Sequence, residues 1–221
     1  MNTLEAIEAR HSVRSYKDIP LEEEKLAKLE EIIARCNEAS GLHIQLVRNE
    51  PKAFDSMLAR YGHFTNVNTY IALIGKKSDK FDELVGYYGE QIVIEAMKLG
   101  IHSCWVAGTY KKIPSAFDIK EGEKIAAVIS IGYGESEGHD HKSRDIKEVS
   151  NVDDNSPDWF VEGVKCALKA PTAINQQKFY LELVGDKVKA TAKFGPHSKK
   201  DLGIIKYHFE VGANKDSSIW L

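Results

Sequence analysis

The stretch Arg10-His11-Ser12-Val13-Arg14 places two guanidinium groups around one hydroxyl within five residues. An extended backbone sets positions 10, 12 and 14 on one side. In that form they make an anion cup, with two forked cationic donors and one hydroxyl donor. Arginine suits a phosphate because its planar fork bonds two oxygens at once. The same residues also fit a solvated charge cluster at a helix end, where cations meet the last carbonyls. Taken alone, the stretch favours the second reading.

The segments around it are regular. Residues 3–10 read as a short helix with Thr3 as cap. Pro20 opens a second helix over 21–37, with acidic residues at its start and Leu26, Leu29, Ile32 and Ile33 on one face. His43 to Arg48 alternates as a half-buried strand does, 51–60 fits a short helix, and Tyr70 to Gly75 is a strong strand. Residues 81–99 carry helical apolar spacing and stop at Gly100. An apolar stretch from Ile101 to Gly108 follows, and Lys124 to Gly132 is an apolar run expected as a central strand. The polar segment 133–158 crosses to a second group of elements: a helix to 169, a loop over 170–177, a hairpin turning at Gly185-Asp186, and a helix over 201–213.

Composition excludes several classes. The chain has 221 residues, 43% hydrophobic and 29% charged, as soluble globular proteins have. A net charge of −3, with cations spread along the chain, argues against a nucleic-acid partner. No run is long enough to span a membrane, and MNTLEAIEAR is no signal peptide. Cys36, Cys104 and Cys166 are odd in number and far apart, which points to a reducing, cytoplasmic setting. His139 and His141 have no third ligand spaced nearby, so no metal site is expected. Gly132-Tyr-Gly-Glu-Ser-Glu-Gly138 has the wrong spacing for a dinucleotide loop and no apolar helix after it.

The loop Ala170-Pro-Thr-Ala-Ile-Asn-Gln-Gln177 is the second informative stretch. Small residues let backbone groups approach a flat ligand, and Asn175 and Gln177 add paired donors and acceptors. A plain helix-to-strand connection accounts for the loop equally well. Lys142-Ser143-Arg144 adds phosphate-type donors, and a solvated surface run explains it too. An internal echo is also present: HIQLV and YLELV each follow a helix, and YGEQIVIEAMKLG is similar to KDLGIIKYHFEVG.

Together these segments resemble the nitroreductase family of FMN-dependent flavoproteins, and more narrowly its two-repeat, single-chain branch. The resemblance rests on R-x-S-x-R at Arg10 to Arg14 and on P-[ST]-x-x-N-x-Q at Pro171 to Gln177. It rests also on G-[IL]-x-S-C-W at Gly100 to Trp105 and on K-S-R at Lys142 to Arg144. The order departs from the ordinary pattern, in which the P-S-x-x-N loop follows the first long helix; here Ser40-Gly41 holds that place.

The resemblance implies an α+β nitroreductase-like fold, with a mostly antiparallel central sheet flanked by helices. It implies two unequal repeats forming a pseudo-dimer: residues 1–150 with the Arg/Ser loop, and 151–221 with the flavin-ring loop, packed as one globule. FMN would be the cofactor. Arg10, Ser12, Arg14 and Arg144, with help from Lys142, would hold its phosphate, His11 would be a further cofactor contact, and Pro171, Thr172 and Asn175 would line its ring. Val106, Ala107 and Gly108 would lie near the N5 edge, and Asn66 near the pyrimidine side. The chemistry would be the flavin's own, from NAD(P)H to a small nitroaromatic or quinone-like acceptor, with no catalytic side chain. A flavin-binding sensor or carrier without turnover is the alternative. A monomer is favoured and a homodimer through another face stays open.

Overall fold

The computed structural model describes residues 1–221. Helix α1 (Thr3–Ala9) is capped by Asn2, one residue earlier than expected, because Asn2 and Glu5 form a reciprocal capping box. Helix α2 (Glu23–Ser40) buries Leu26, Leu29, Ile32, Ile33 and Cys36, and ends at Gly41 in the left-handed conformation that a C-cap requires. Ser40-Gly41, the terminating pair in the sequence, closes it. The predicted helix over 51–60 is instead a 3-10 turn, Pro51–Ala53, followed by the short α3 (Met57–Tyr61), which Ser56 caps.

Strands β1 (Gln45–Val47), β2 (Thr69–Lys76), β3 (His102–Val106) and β4 (Glu123–Gly132) form one sheet in the order β1-β2-β4-β3, all antiparallel. Alternation divides the core across it. Ile71, Leu73 and Ile129 face α2 and α4 (Phe81–Lys98), whereas Tyr70, Ala72, Ile74 and Val128 face Phe54, Phe64 and Tyr110. The central position expected of the 124–132 run holds, and its buried part is residues 127–131. The crossing segment contains one turn of helix, α5 (Ile146–Val149).

The later elements are α6 (Asp158–Ala167), strands β5 (Phe179–Val184) and β6 (Lys187–Ala192), and α7 (Ser198–Ala213). β5 and β6 form a separate two-stranded sheet, closed over a third core containing Phe160, Phe179, Ile205 and Phe209. α7 packs against both α6 and α4, and so joins this unit to the first. The antiparallel pair β1-β2 is flanked by α2 and α4, with the 3-10 turn and α3 inserted between its strands, and the hairpin β5-β6 is flanked by α6 and α7 with no insertion. The packed faces of α4 and α7 meet at Gly86 and Gly203.

Candidate functional site

β3 is an edge strand, and the chain after α1 covers that edge. Ser12 bridges Ser103 in parallel, with the Val13 amide donating to the Ser103 carbonyl at 3.0 Å. Tyr16 fixes the segment from below: its hydroxyl donates to the Val13 carbonyl at 2.7 Å and lies 2.9 Å from Ser130 Oγ. Alternation then turns Val13 inward and leaves Ser12 and Arg14 exposed.

Arg10 departs from the expected row. It is the C-cap residue of α1, and its side chain is buried. Nη2 donates to the Lys169 carbonyl at 3.4 Å, and Nε lies 3.8 Å from Glu90 Oε1. Glu90 is fully buried and also accepts from Trp105 Nε1 and from His208 Nε2, each at 2.8 Å. This carboxylate therefore ties α1, β3, α4 and α7 together beneath the Arg/Ser loop. Arg10 still borders the open space beside Ser12 and Arg14.

That space is a cleft in two adjoining lobes, of 480 and 540 Å³, which share Ser12, Arg14, His63, Pro171, Thr172 and Ile174. The smaller lobe is lined by Trp105, Val106, Ala107, Gly108 and Ala127, with Lys200 and Asp201 at its far side. The larger is polar and adds Arg10, His11, His139, His141 and Asn175. Pro171, Thr172 and Asn175 line the same polar lobe as the Arg/Ser loop. A Cβ built on Gly108 would meet no atom within 4 Å, so its bare face opens onto the cleft.

Three of the residues named from the sequence are turned elsewhere. Lys142 presents its carbonyl, which accepts from Asn175 Nδ2 at 2.9 Å and Gln177 Nε2 at 2.8 Å. Arg144 donates to Glu148 at 3.1 Å and to the Gln176 carbonyl at 3.4 Å, while its amide donates to Gln177 Oε1 at 2.9 Å. Both residues support the 171–177 loop from behind and line neither lobe. Asn66 donates to the Tyr16 carbonyl at 3.0 Å and borders a separate cavity of 350 Å³ beside Arg48.

Asp201 joins the site from α7, although no motif in the sequence marks it. Its carboxylate accepts from the Ala173 amide at 3.1 and 3.2 Å and from Gln176 Nε2 at 2.7 Å, pinning the loop to the start of α7. Burial pushes its pKa up to about 6, against the pull of these donors and of Lys200. Lys200 is itself held by Asp82 at 2.7 Å. The rim is conformationally costly. His63, Ile174, Asn175, Gln177 and His197 all have positive φ, and Ile174 is β-branched and exposed. Cys104, on the cleft floor, is buried and its thiol pKa is raised by burial, as an inert thiol's would be.

A family model described as "Putative TM nitroreductase" matches residues 2–213. The chain belongs to the nitroreductase family. Among solved members, a Thermotoga maritima protein described as a putative nitroreductase superposes with a TM-score of 0.69 at 23% identity, covering 96% of this chain and 83% of that one. A Desulfovibrio desulfuricans protein, described as a putative nitroreductase in complex with FMN, gives a TM-score of 0.56 at 18% identity, covering 71% of this chain and 99% of its own. An FMN-dependent nitroreductase from Clostridium difficile gives 0.52 at 22% identity, covering 68% and 98%. No curated protein matches the chain. The antiparallel sheet flanked by helices is thus the nitroreductase fold, and the shorter family members match it almost in full while leaving nearly a third of this chain unmatched.

Proposed function

We propose that the two-lobed cleft binds one FMN and that the protein is an NAD(P)H-dependent oxidoreductase acting on a small nitroaromatic or quinone-like acceptor. The observation that carries this reading is the continuity of the lobes: the Arg/Ser segment opens on a polar space that runs directly into an apolar one, between Pro171-Thr172 and Val106–Gly108. The donor set suits the cofactor. Arg14 and the Ser12 hydroxyl would meet the phosphate, with Arg10 and His11 beside them, while the bare face of Gly108 leaves room for a planar ring. Lys142 and Arg144 would act through the 171–177 loop, by holding Asn175 and Gln177.

When bound, FMN supplies hydride acceptance at N5 and onward transfer to the acceptor. The chain supplies the rest. Pro171 and Thr172 would lie against the ring, Asp201 would keep the loop in place, and backbone groups of Val106 to Gly108 would present fixed dipoles to its reactive edge. No helix is long and apolar enough to cross a membrane, and the three cysteines are free, which fits a reducing cytoplasm.

The same reading makes residues 151–221 a shortened second repeat, so that one chain carries both walls of a site that two subunits would otherwise share. The two antiparallel strand pairs, each flanked by helices, and the reciprocal Gly86–Gly203 contact support it, although α3 has no counterpart between β5 and β6. It predicts a monomer with one FMN per chain. Fluorescence-quenching titration with FMN, followed by steady-state NAD(P)H oxidation with added quinone or nitroaromatic, tests the proposal. Saturation at one FMN per chain with turnover is expected. Two FMN per chain would remove the fused-repeat reading. A holoprotein that never turns over would leave a flavin sensor or carrier.

A further inference from the structure

The polar lobe is short of fixed positive charge. Arg10 is engaged by Glu90 and the Lys169 carbonyl, and Arg144 by Glu148. Lys169 is paired with Glu8 at 2.7 Å. Arg14 is left as the exposed guanidinium of the lobe with no partner inside the protein. A phosphate monoester carries about −1.5 to −2 charges at neutral pH. What the lobe holds in quantity is imidazole: His11, His63, His139 and His141 all line it.

Two of these are held in place. His11 packs against Gly138, where a Cβ would fall 2.6 Å from its own Cβ. His141 Nε2 lies 2.8 Å from the Leu168 carbonyl, which only accepts, so this nitrogen carries the hydrogen. The neutral ring then has no second N–H to offer an anion; that donor appears only with a second proton. His11 is faced by Arg10, Asp140, His141 and Lys169, and burial, with Arg10 next, holds its pKa below the ordinary value despite the Asp140 carboxylate, which also lines the lobe. A phosphate dianion placed among these groups reverses that balance, since each imidazolium adds both a charge and a donor.

We propose that binding of a phosphate-bearing ligand in this lobe is coupled to proton uptake by His11 and His141, so that the cleft holds FMN more tightly as pH falls from 8.5 to 6.5. No covalent bond changes: the dianion enters from solution with one to two protons, which come to rest on the imidazoles. The inference rests on the FMN reading given above.

The test is FMN titration between pH 6.5 and 8.5 at fixed ionic strength, with riboflavin, which lacks the phosphate, in parallel. Calorimetry in two buffers of different protonation enthalpy counts the protons. Kd for FMN should rise about tenfold per pH unit for each proton taken up, while riboflavin stays flat. The phosphate's own second pKa, near 6, acts in the opposite direction, so it cannot produce this slope. His141→Gln keeps an amide nitrogen for the Leu168 carbonyl but cannot gain a proton; combined with His11→Asn it should flatten the profile without moving the thermal midpoint. FMN binding that is independent of pH and takes up no proton, or an unchanged slope in the double variant, overturns the proposal and leaves the FMN reading standing. A protein that takes up no FMN at any pH overturns that reading instead. Inorganic phosphate then decides the proposal for the lobe itself: stabilisation against heat at pH 6.5 that vanishes at pH 8.5 supports it, and equal stabilisation overturns it.

Discussion

Gly86 of α4 and Gly203 of α7 face each other's helices reciprocally. A Cβ on Gly86 would lie 2.0 Å from the Lys200 carbonyl oxygen, and a Cβ on Gly203 would lie 2.0 Å from the Glu83 carbonyl oxygen. Each carbonyl stands three residues before the other glycine, so the two approaches are equivalent. The obstruction is backbone, which cannot swing aside. Gly86→Ala and Gly203→Ala should therefore each cost about 1–3 kcal/mol or more through overpacking, despite alanine's better helix propensity. Thermal unfolding of both variants measures this. A neutral or stabilising alanine at either position would mean the helices are further apart than described.

Glu90 should be the most expensive carboxylate to neutralise. It is the common acceptor for Trp105 and His208 and the counter-charge to a buried Arg10. Glu90→Gln leaves that guanidinium without compensation, and breaking a buried pair in this way costs about 3–5 kcal/mol. Urea denaturation reads the loss, and Trp105 emission reports whether the indole has moved.

Asp201 gives the fold a pH dependence of defined sign. Its folded pKa of about 6 lies above the ordinary 3.8, so the folded state binds this proton more tightly than the unfolded chain. The stability so gained is fully present below about pH 4 and is lost as pH rises through 6. Thermal midpoints of the parent protein, relative to Asp201→Asn, should climb as pH falls from 7 to 5. A difference that stays constant across that range would show Asp201 to be an ordinary solvated carboxylate.

Gly108 separates folding from ligand binding. Because a side chain there meets no protein atom, Gly108→Val should leave the unfolding temperature within about 1 °C while obstructing the apolar lobe. At least a tenfold loss in FMN affinity is expected, by fluorescence titration.

Arg14 and Arg144 provide a contrast. Arg14→Ala removes a charge-assisted donor from the cleft, worth about 1.5–3 kcal/mol, or roughly ten- to a hundredfold in Kd for FMN. Arg144→Ala acts only through the loop and should have a smaller effect, with the salt dependence of binding unchanged. Equal losses from both would place Arg144 against the phosphate after all.

Much of the fold was legible because its signals are local. β2 and β4 announce themselves as apolar runs, and α2 and α4 as helical stripes closed by Gly41 and Gly100. The alternation that exposes Ser12 and Arg14 was equally readable. Arg10 was not, because it is the last cap of a helix rather than the first residue of an extended run, and its side chain follows the helix inward. Lys142 and Arg144 sit in an irregular loop, where nothing in sequence order says which way a side chain points.

Glu90 lay within reach. It shares the spacing of Gly86, Val93 and Met97, all buried, so an acidic residue stood on an apolar face. Asp201 was hidden for the opposite reason: acidic residues are commonplace in a first helical turn, and only the folded loop brings Ala173 and Gln176 to it. The left-handed backbone at Ile174 is likewise invisible, since β-branched residues avoid that region and only tertiary contacts impose it.

The two walls of the cleft are separated by some 160 residues of chain, and the second wall is pinned by Asp201. A ribosome delivers the chain from its N-terminus, and early elements fold as they emerge. The four-stranded sheet and the Arg/Ser loop can therefore assemble while the opposite wall is still unmade. On the FMN reading, a nascent chain that stops short of α7 would lack the pinned second wall, and competence to hold the cofactor would arrive only when the first turn of α7 has left the exit tunnel.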